Sequence, residues 1–221
     1  QGIIGSGTGK TAIIGLTDDF NLINVRGAGI GTFIINYLTL QGGDKGVHIT
    51  SDGYDVWFQP NAINFKFVVF RNQATYGIEV AQLYGMDNCM FQQVHFFNIP
   101  VGFKQTPDPN YGGFETNHMT YIDKTVFYKC QAINCGTGFS LRTARGDNLN
   151  AWVNCNFDGN TNSSIDFVNH NAPLVVNCDF KHSTGNSVIN SNYTIGIYSC
   201  DFSNNSTSSI INGDLATIEG C

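Results

Sequence analysis

The sequence predicts an all-β right-handed parallel β-helix, a single-stranded solenoid of about 8–9 coils with an inward Cys/Phe ladder. Three observations lead there: cysteines that return at a nearly fixed interval, a short word repeated around them, and a second strand-like word in the same rhythm.

Cys130, Cys155, Cys178, Cys200 and Cys221 are 25, 23, 22 and 21 residues apart. Around them stand Val153-Asn154-Cys155-Asn156-Phe157, Val176-Asn177-Cys178-Asp179-Phe180 and Tyr198-Ser199-Cys200-Asp201-Phe202, and Asn88-Cys89-Met90-Phe91 fits the same frame. Cys and Phe two apart with a polar residue between is strand alternation, so each word reads as one short strand with both side chains inward. The second word recurs at Gly46-Val47-His48-Ile49, Gly77-Ile78-Glu79-Val80, Gly102-Phe103-Lys104, Gly138-Phe139-Ser140-Leu141, Ser164-Ile165-Asp166-Phe167, Ser187-Val188-Ile189 and Ser209-Ile210-Ile211. A coil of roughly 22 residues cannot bury its own inward face, so equivalent strands stack in parallel at about 4.8 Å per coil. Asn134, Asn160 and Asn204 recur in the turns, where an amide side chain bonds neighbouring backbone, and read as an asparagine ladder.

Seven cysteines could form a disulfide framework, but their spacing reads instead as a stack of small reduced thiols, and no CxxC pair points to zinc. No motif calls for a cofactor, and none supports calcium. Charged residues make up only 13% and the net charge is −6, which excludes a nucleic-acid binder of the usual basic kind. No apolar run reaches the roughly 20 residues of a membrane span. The chain opens on Gln1 without an initiator Met or a signal-peptide core and is expected to be a mature or excised segment, either secreted or at the cell surface. It reads as one domain over 1–221, with Cys221 on the ladder, so an oligomer or a flanking domain is expected to cover the open last coil.

Gly5-Ser6-Gly7-Thr8-Gly9-Lys10-Thr11 resembles a phosphate-binding loop only superficially: Ile4 stands where the pattern needs Gly, and Gly15 interrupts the helix that should follow. It is expected to be a glycine-rich turn between Ile3-Ile4 and Ile13-Ile14, with no nucleotide. Four sequons, at Asn162, Asn192, Asn204 and Asn205, read as turn residues.

Gly2-Ile3-Ile4-Gly5 with Gly9-Lys10-Thr11, Tyr37-Leu38-Thr39-Leu40 and the repeated Asn-Cys-Asp-Phe resemble the pectate-lyase-like superfamily of β-helix proteins, over essentially the whole chain. Tyr121 to Cys130 and Asn148 to Trp152 look like carbohydrate-active β-helix enzymes. The resemblance implies the fold and a polysaccharide partner. It does not choose among lyases, hydrolases, epimerases and tailspikes, and no catalytic motif carries across.

Candidate chemistry comes from the strand register. With Val47, Ile78, Phe103, Phe139, Ile165 and Val188 inward, the column His48, Glu79, Lys104, Ser140, Asp166, Ile189 faces out, and Thr50, Ala81, Thr106, Arg142, Val168, Ser191 follow. His48, Glu79, Lys104 and Arg142 are the expected catalytic groups of a β-eliminating lyase, with a cation for a uronate carboxylate and a base for the C5 proton. Asp52, Tyr111, His118, Arg145, Asp147 and Asp166 are the expected substrate contacts, and Trp57 offers a further aromatic edge. The 36-residue step from Phe103 to Phe139 places a loop insertion at 106–120 as a wall of the groove. A glycoside hydrolase would need two carboxylates about 5–9.5 Å apart, for which Glu79 and Asp52 are the better pair. A non-catalytic tailspike, adhesin or structural solenoid is the third class.

Overall fold

The computed structural model describes residues 2–27, 30–51, 59–60, 62–81, 85–106, 121–142, 150–168, 173–191, 194–213 and 216–221. All paired strands are parallel and each pairs with its counterpart one coil away, which is a parallel β-solenoid. In the first sheet, coils 1 to 8 begin at Gly2–Ile4, Ile34–Gln41, Asn64–Arg71, Met90–Phe97, Val126–Tyr128, Ala151–Val153, Leu174–Val176 and Ile195–Tyr198, and Ala216–Glu219 begins a ninth level. The second sheet stacks Ile23–Gly27, Lys45–Ser51, Tyr76–Ala81, Val101–Thr106, Thr137–Arg142, Ser163–Val168, Ser187–Ser191 and Ser209–Asn212. Short pairs, Ile30–Gly31 with Gln59–Pro60 and Gly85–Asp87 with Tyr121–Asp123, mark a third side. Coils 2 to 7 have a partner on both sides in both sheets, which makes about six complete turns. The repeat count of 8–9 is slightly larger because it includes end coils that are paired on one side only.

Inside, like stacks on like. Phe65, Phe91, Phe127 and Trp152 form one column with ring centroids 5.2, 5.0 and 4.8 Å apart, and Phe157, Phe180 and Phe202 form another at 4.7 and 4.9 Å. Offset aromatic stacking of this kind adds about 0.5–1.5 kcal/mol per pair to the burial itself.

The cysteine word is not one strand. Asn154 (φ 56°), Asn177 (φ 52°) and Ser199 (φ 53°) are left-handed, and each is followed by its cysteine at a bend between two extended segments. The same bend occurs at Tyr37, Phe67, Gln93 and Lys129, so it is a continuous feature of the first sheet, and Asn suits it because its short polar side chain tolerates this conformation. Cys and Phe nevertheless both face inward, as Cys155, Phe157, Cys178 and Phe180 are buried. Cys89 belongs to a different column: it follows Asn88 (φ 52°) at another corner, aligned with Thr125.

All seven cysteines are free thiols. Sγ of Cys130, Cys155 and Cys178 contacts the carbonyls of Phe91, Phe127 and Trp152 at 3.2, 3.3 and 3.5 Å, in each case one coil back. In the other direction the Cys155, Cys178 and Cys200 amides point at the next thiol, at 3.4, 3.5 and 3.3 Å. The ladder therefore bonds coil to coil without disulfides.

The expected asparagine ladder divides into two columns. Asn134 and Asn204 occupy left-handed turn positions, aligned with Gly42, Asn72, Asn98, Gly159 and His182. Asn160 points inward: its Oδ1 accepts from the Cys135 amide at 3.0 Å, and its Nδ2 donates to Ala132 O at 3.1 Å. Asn205 repeats this two coils on, accepting from the Ser183 amide at 2.8 Å and donating to Phe180 O at 2.7 Å. Gly5–Thr11 is a turn between Gly2–Ile4 and Ala12–Ile14, closed by the Lys10 and Thr11 amides on Gly7 O at 3.0 and 2.9 Å. Strand follows it, where a phosphate-binding loop would need a helix.

Candidate functional site

The second sheet starts each strand at a tight corner. A Cβ on Gly46, Gly77 or Gly102 would lie 2.6 Å from the carbonyl of the next glycine along the column, and only a bare backbone allows that approach. Past the corner the inward residues Val47, Ile78, Phe103, Phe139, Ile165 and Ile189 are fully buried or nearly so. Register then fixes the outward column as Asn24, His48, Glu79, Lys104, Ser140, Asp166, Asn190 and Asn212, one residue per coil.

This corrects one expected member. Ile189 pairs with Ile165 and is buried, while Val188 takes the glycine corner slot and Asn190 the outward position. Aligning Ser187 with Ser164 shifts the strand by one residue, which exchanges its faces. Ser187 in fact aligns with Ser163.

The column is a line of bonded polar groups. Lys104 Nζ donates to Ser140 Oγ at 3.2 Å, Ser140 Oγ to Asp166 Oδ2 at 3.4 Å, Asn190 Nδ2 to Asp166 Oδ1 at 2.8 Å, and Asn212 Nδ2 to Asn190 Oδ1 at 3.0 Å. At its other end Glu79 gathers an imidazole, an ammonium and a hydroxyl. His48 Nδ1 lies 2.9 Å from Glu79 Oε2, a close contact that is poorly aligned as a hydrogen bond. Lys45 Nζ is 3.6 Å from the same oxygen, and Thr106 Oγ1 donates to Oε1 at 2.9 Å. Lys45 also bonds Asp44 at 2.9 Å, whose other oxygen accepts from Thr75 at 2.7 Å.

Burial alone would raise the Glu79 pKa, but His48, Thr106 and the Lys45 charge outweigh it and hold the carboxyl below its usual range. Asp44 follows the same pattern: burial raises it, and Lys45 and Thr75 bring it down on balance. Burial pulls Lys45 down, but its two carboxylate neighbours raise it on balance. Glu79 is thus an ionised orienting group and a poor proton donor, since a general acid needs a raised pKa.

Glu79 and Asp166 stand three coils apart on the column, roughly 14 Å at about 4.8 Å per coil. That separation exceeds the span of a glycosidase carboxylate pair, about 5–9.5 Å. Arg142 closes the strand Thr137–Arg142 in register with Val168. Asp52, Trp57, Tyr111, His118, Arg145 and Asp147, with most of the 106–120 insertion, lie outside the described residues. Sequence reasoning missed Lys45, Asn190 and Asn212. Lys45 precedes the corner glycine and so lay outside the strand word, whereas Asn190 and Asn212 were hidden by the one-residue register choice.

Comparison with protein-family models, with curated proteins and with solved structures gives no match.

Proposed function

We propose that this chain is a pectate-lyase-like β-helix protein, secreted or at the cell surface, that binds an extended polysaccharide along the outward column of the second sheet and cleaves it by β-elimination. The observation that carries the reading is a column that sets one polar residue on each coil from His48 to Asn212, with neighbours bonded from Lys104 to Asn212. A repeating hydroxylated chain laid along the axis meets His48, Lys104, Asp166, Asn190 and Asn212, with Glu79 and Ser140 buried behind them, while the low net charge density leaves recognition to hydrogen bonds. Elimination is preferred to hydrolysis because Glu79 and the described carboxylate nearest to it, Asp44, share Lys45 and are both held ionised, so neither offers the proton a glycosidase acid must give. Lys104, one coil from Glu79, is the proposed base, and Arg142 the proposed cation for the substrate carboxylate.

A non-catalytic binder is the second reading, favoured by the engagement of Lys104 with Ser140 and of Glu79 with Thr106 and Lys45, all of which act as structural ties as well. Incubation with a panel of acidic and neutral polysaccharides separates the readings: absorbance from unsaturated ends signals a lyase, new reducing ends alone a hydrolase, and retention without products a binder. Lys104→Ala and Arg142→Ala should each abolish the unsaturated product. Full activity in both variants would remove this site from consideration.

A further inference from the structure

The first sheet, on the strip before its bend, carries two outward columns away from the proposed groove. One includes Met90, Val126, Ala151, Leu174 and Gly196; the other runs from Lys66 through Tyr128, Val153 and Val176 to Glu219. Its centre is apolar: Met90 and Leu174 are each 40% exposed, and the valines and Tyr128 are only partly covered. Contiguous apolar surface on an otherwise polar chain marks an interaction face.

The strip matches itself under one symmetry operation. A half-turn about an axis along the strand direction reverses coil order and sets each column against its own copy. With that axis at coil 6, Val153 meets Val153 and Ala151 meets Ala151. Lys66 and Glu219 each lie three levels from Val153 in the same column, so the operation places the lysine of one copy opposite the carboxylate of the other. Met90 and Gly196 each lie two levels from Ala151, so the methionine faces the Leu174 and Tyr198 side chains that close over the glycine, 2.9 Å from where its Cβ would stand. Lys66 lies against the Phe67 ring at 5.5 Å, and neither it nor Glu219 has an ion-pair partner among the described residues. The matched strip covers seven levels, six steps of about 4.8 Å or roughly 29 Å.

We propose that this strip is an isologous interface on which a second copy of the chain docks antiparallel, centred on Ala151 and Val153 and closed at both ends by Lys66 to Glu219 pairs. Closed twofold symmetry ends the assembly at a dimer.

Sedimentation equilibrium of the whole chain in reducing buffer, which removes any contribution from the exposed Cys221, tests this directly. The wild type should sediment as a dimer. Val153→Arg, which sets two like charges on the axis, should give a monomer with an unchanged circular dichroism spectrum. Lys66→Glu should raise the dimer dissociation constant roughly three- to tenfold, and adding Glu219→Lys should restore it. A wild type monomeric up to the millimolar range, a dimer indifferent to Val153→Arg, or a charge-swapped double variant no tighter than Lys66→Glu alone would each overturn the interface.

Discussion

The Thr106 hydroxyl donates to Glu79 Oε1 at 2.9 Å, so a carboxylate of the third coil is fastened from the fourth, while His48 and Lys45 hold its other oxygen from the second. Three coils thus meet on one ionised group, at a point where main-chain bonds alone would link them only pairwise.

That arrangement makes stability depend on acid. The folded-state pKa of Glu79 lies below its unfolded value of about 4.3, because the donors outweigh the burial that opposes them. Its contribution is therefore complete above the unfolded pKa and is lost as pH falls through the depressed folded value. Glu79→Gln should cost about 1.5–3 kcal/mol near neutrality, the range for hydrogen bonds to a charged group. The difference from wild type should begin to narrow below about pH 4 and close only below the depressed folded value. Urea unfolding of both proteins across this range measures it; parallel curves at every pH would show that the cluster contributes nothing.

Asn160 makes a separate prediction about the interior. It is fully buried, and its amide satisfies the Cys135 N–H and the Ala132 carbonyl of the preceding coil. Asn160→Ala leaves both backbone groups unpaired away from water, at about 1–3 kcal/mol each. A loss of about 2–6 kcal/mol in unfolding free energy, read from the fall in the denaturant midpoint, is expected. Asn154→Ala, by contrast, removes a side chain on the outer bend and should cost less than half as much, mainly through its left-handed backbone.

These two asparagines show what the sequence could reveal and what it could not. Period, inward cysteines and phenylalanines, and parallel stacking were legible because burial writes itself into spacing. Asn154 and Asn160 look alike as residues six apart in a polar stretch, yet one turns the chain and the other closes hydrogen bonds inside. Only the left-handed bend beside each cysteine separates them, and a residue that tolerates this conformation does not announce that it adopts it. The outward column was legible from His48 to Asp166 because the Gly-corner word persists there. It failed at Ile189, where two serines before Ile165 offered two alignments and core packing selected the one that buries both Val188 and Ile189.

The thiol ladder predicts chemical silence. Burial pushes the Cys89 thiol up to about 12 and Cys135 to about 11, and contacts within the ladder raise Cys178 and Cys200 further. Thiolate is the reactive form, so at mildly alkaline pH these groups should ignore an aromatic disulfide reagent such as DTNB. Cys221 is exposed and should react alone in the native protein, with the other six following on denaturation. Rapid native labelling of Cys155 or Cys178, mapped by peptide mass, would contradict a closed ladder.

Glycine corners offer the sharpest contrast between two superficially similar residues. A Cβ at Gly77 would sit 2.6 Å from Gly102 O and 2.6 Å from Phe96 Cδ1, and neither a sheet carbonyl nor a stacked core ring can withdraw. At Gly9, in the turn that superficially resembles a phosphate-binding loop, a Cβ would meet nothing within 4 Å. Gly77→Ala should therefore cost about 1–3 kcal/mol through overpacking. Gly9→Ala should fall within about 0.5 kcal/mol of wild type, because an open surface position gives the methyl nothing to displace. Thermal unfolding of the two variants side by side decides it. Equal losses at both positions would mean that the corner column is not what forces glycine there.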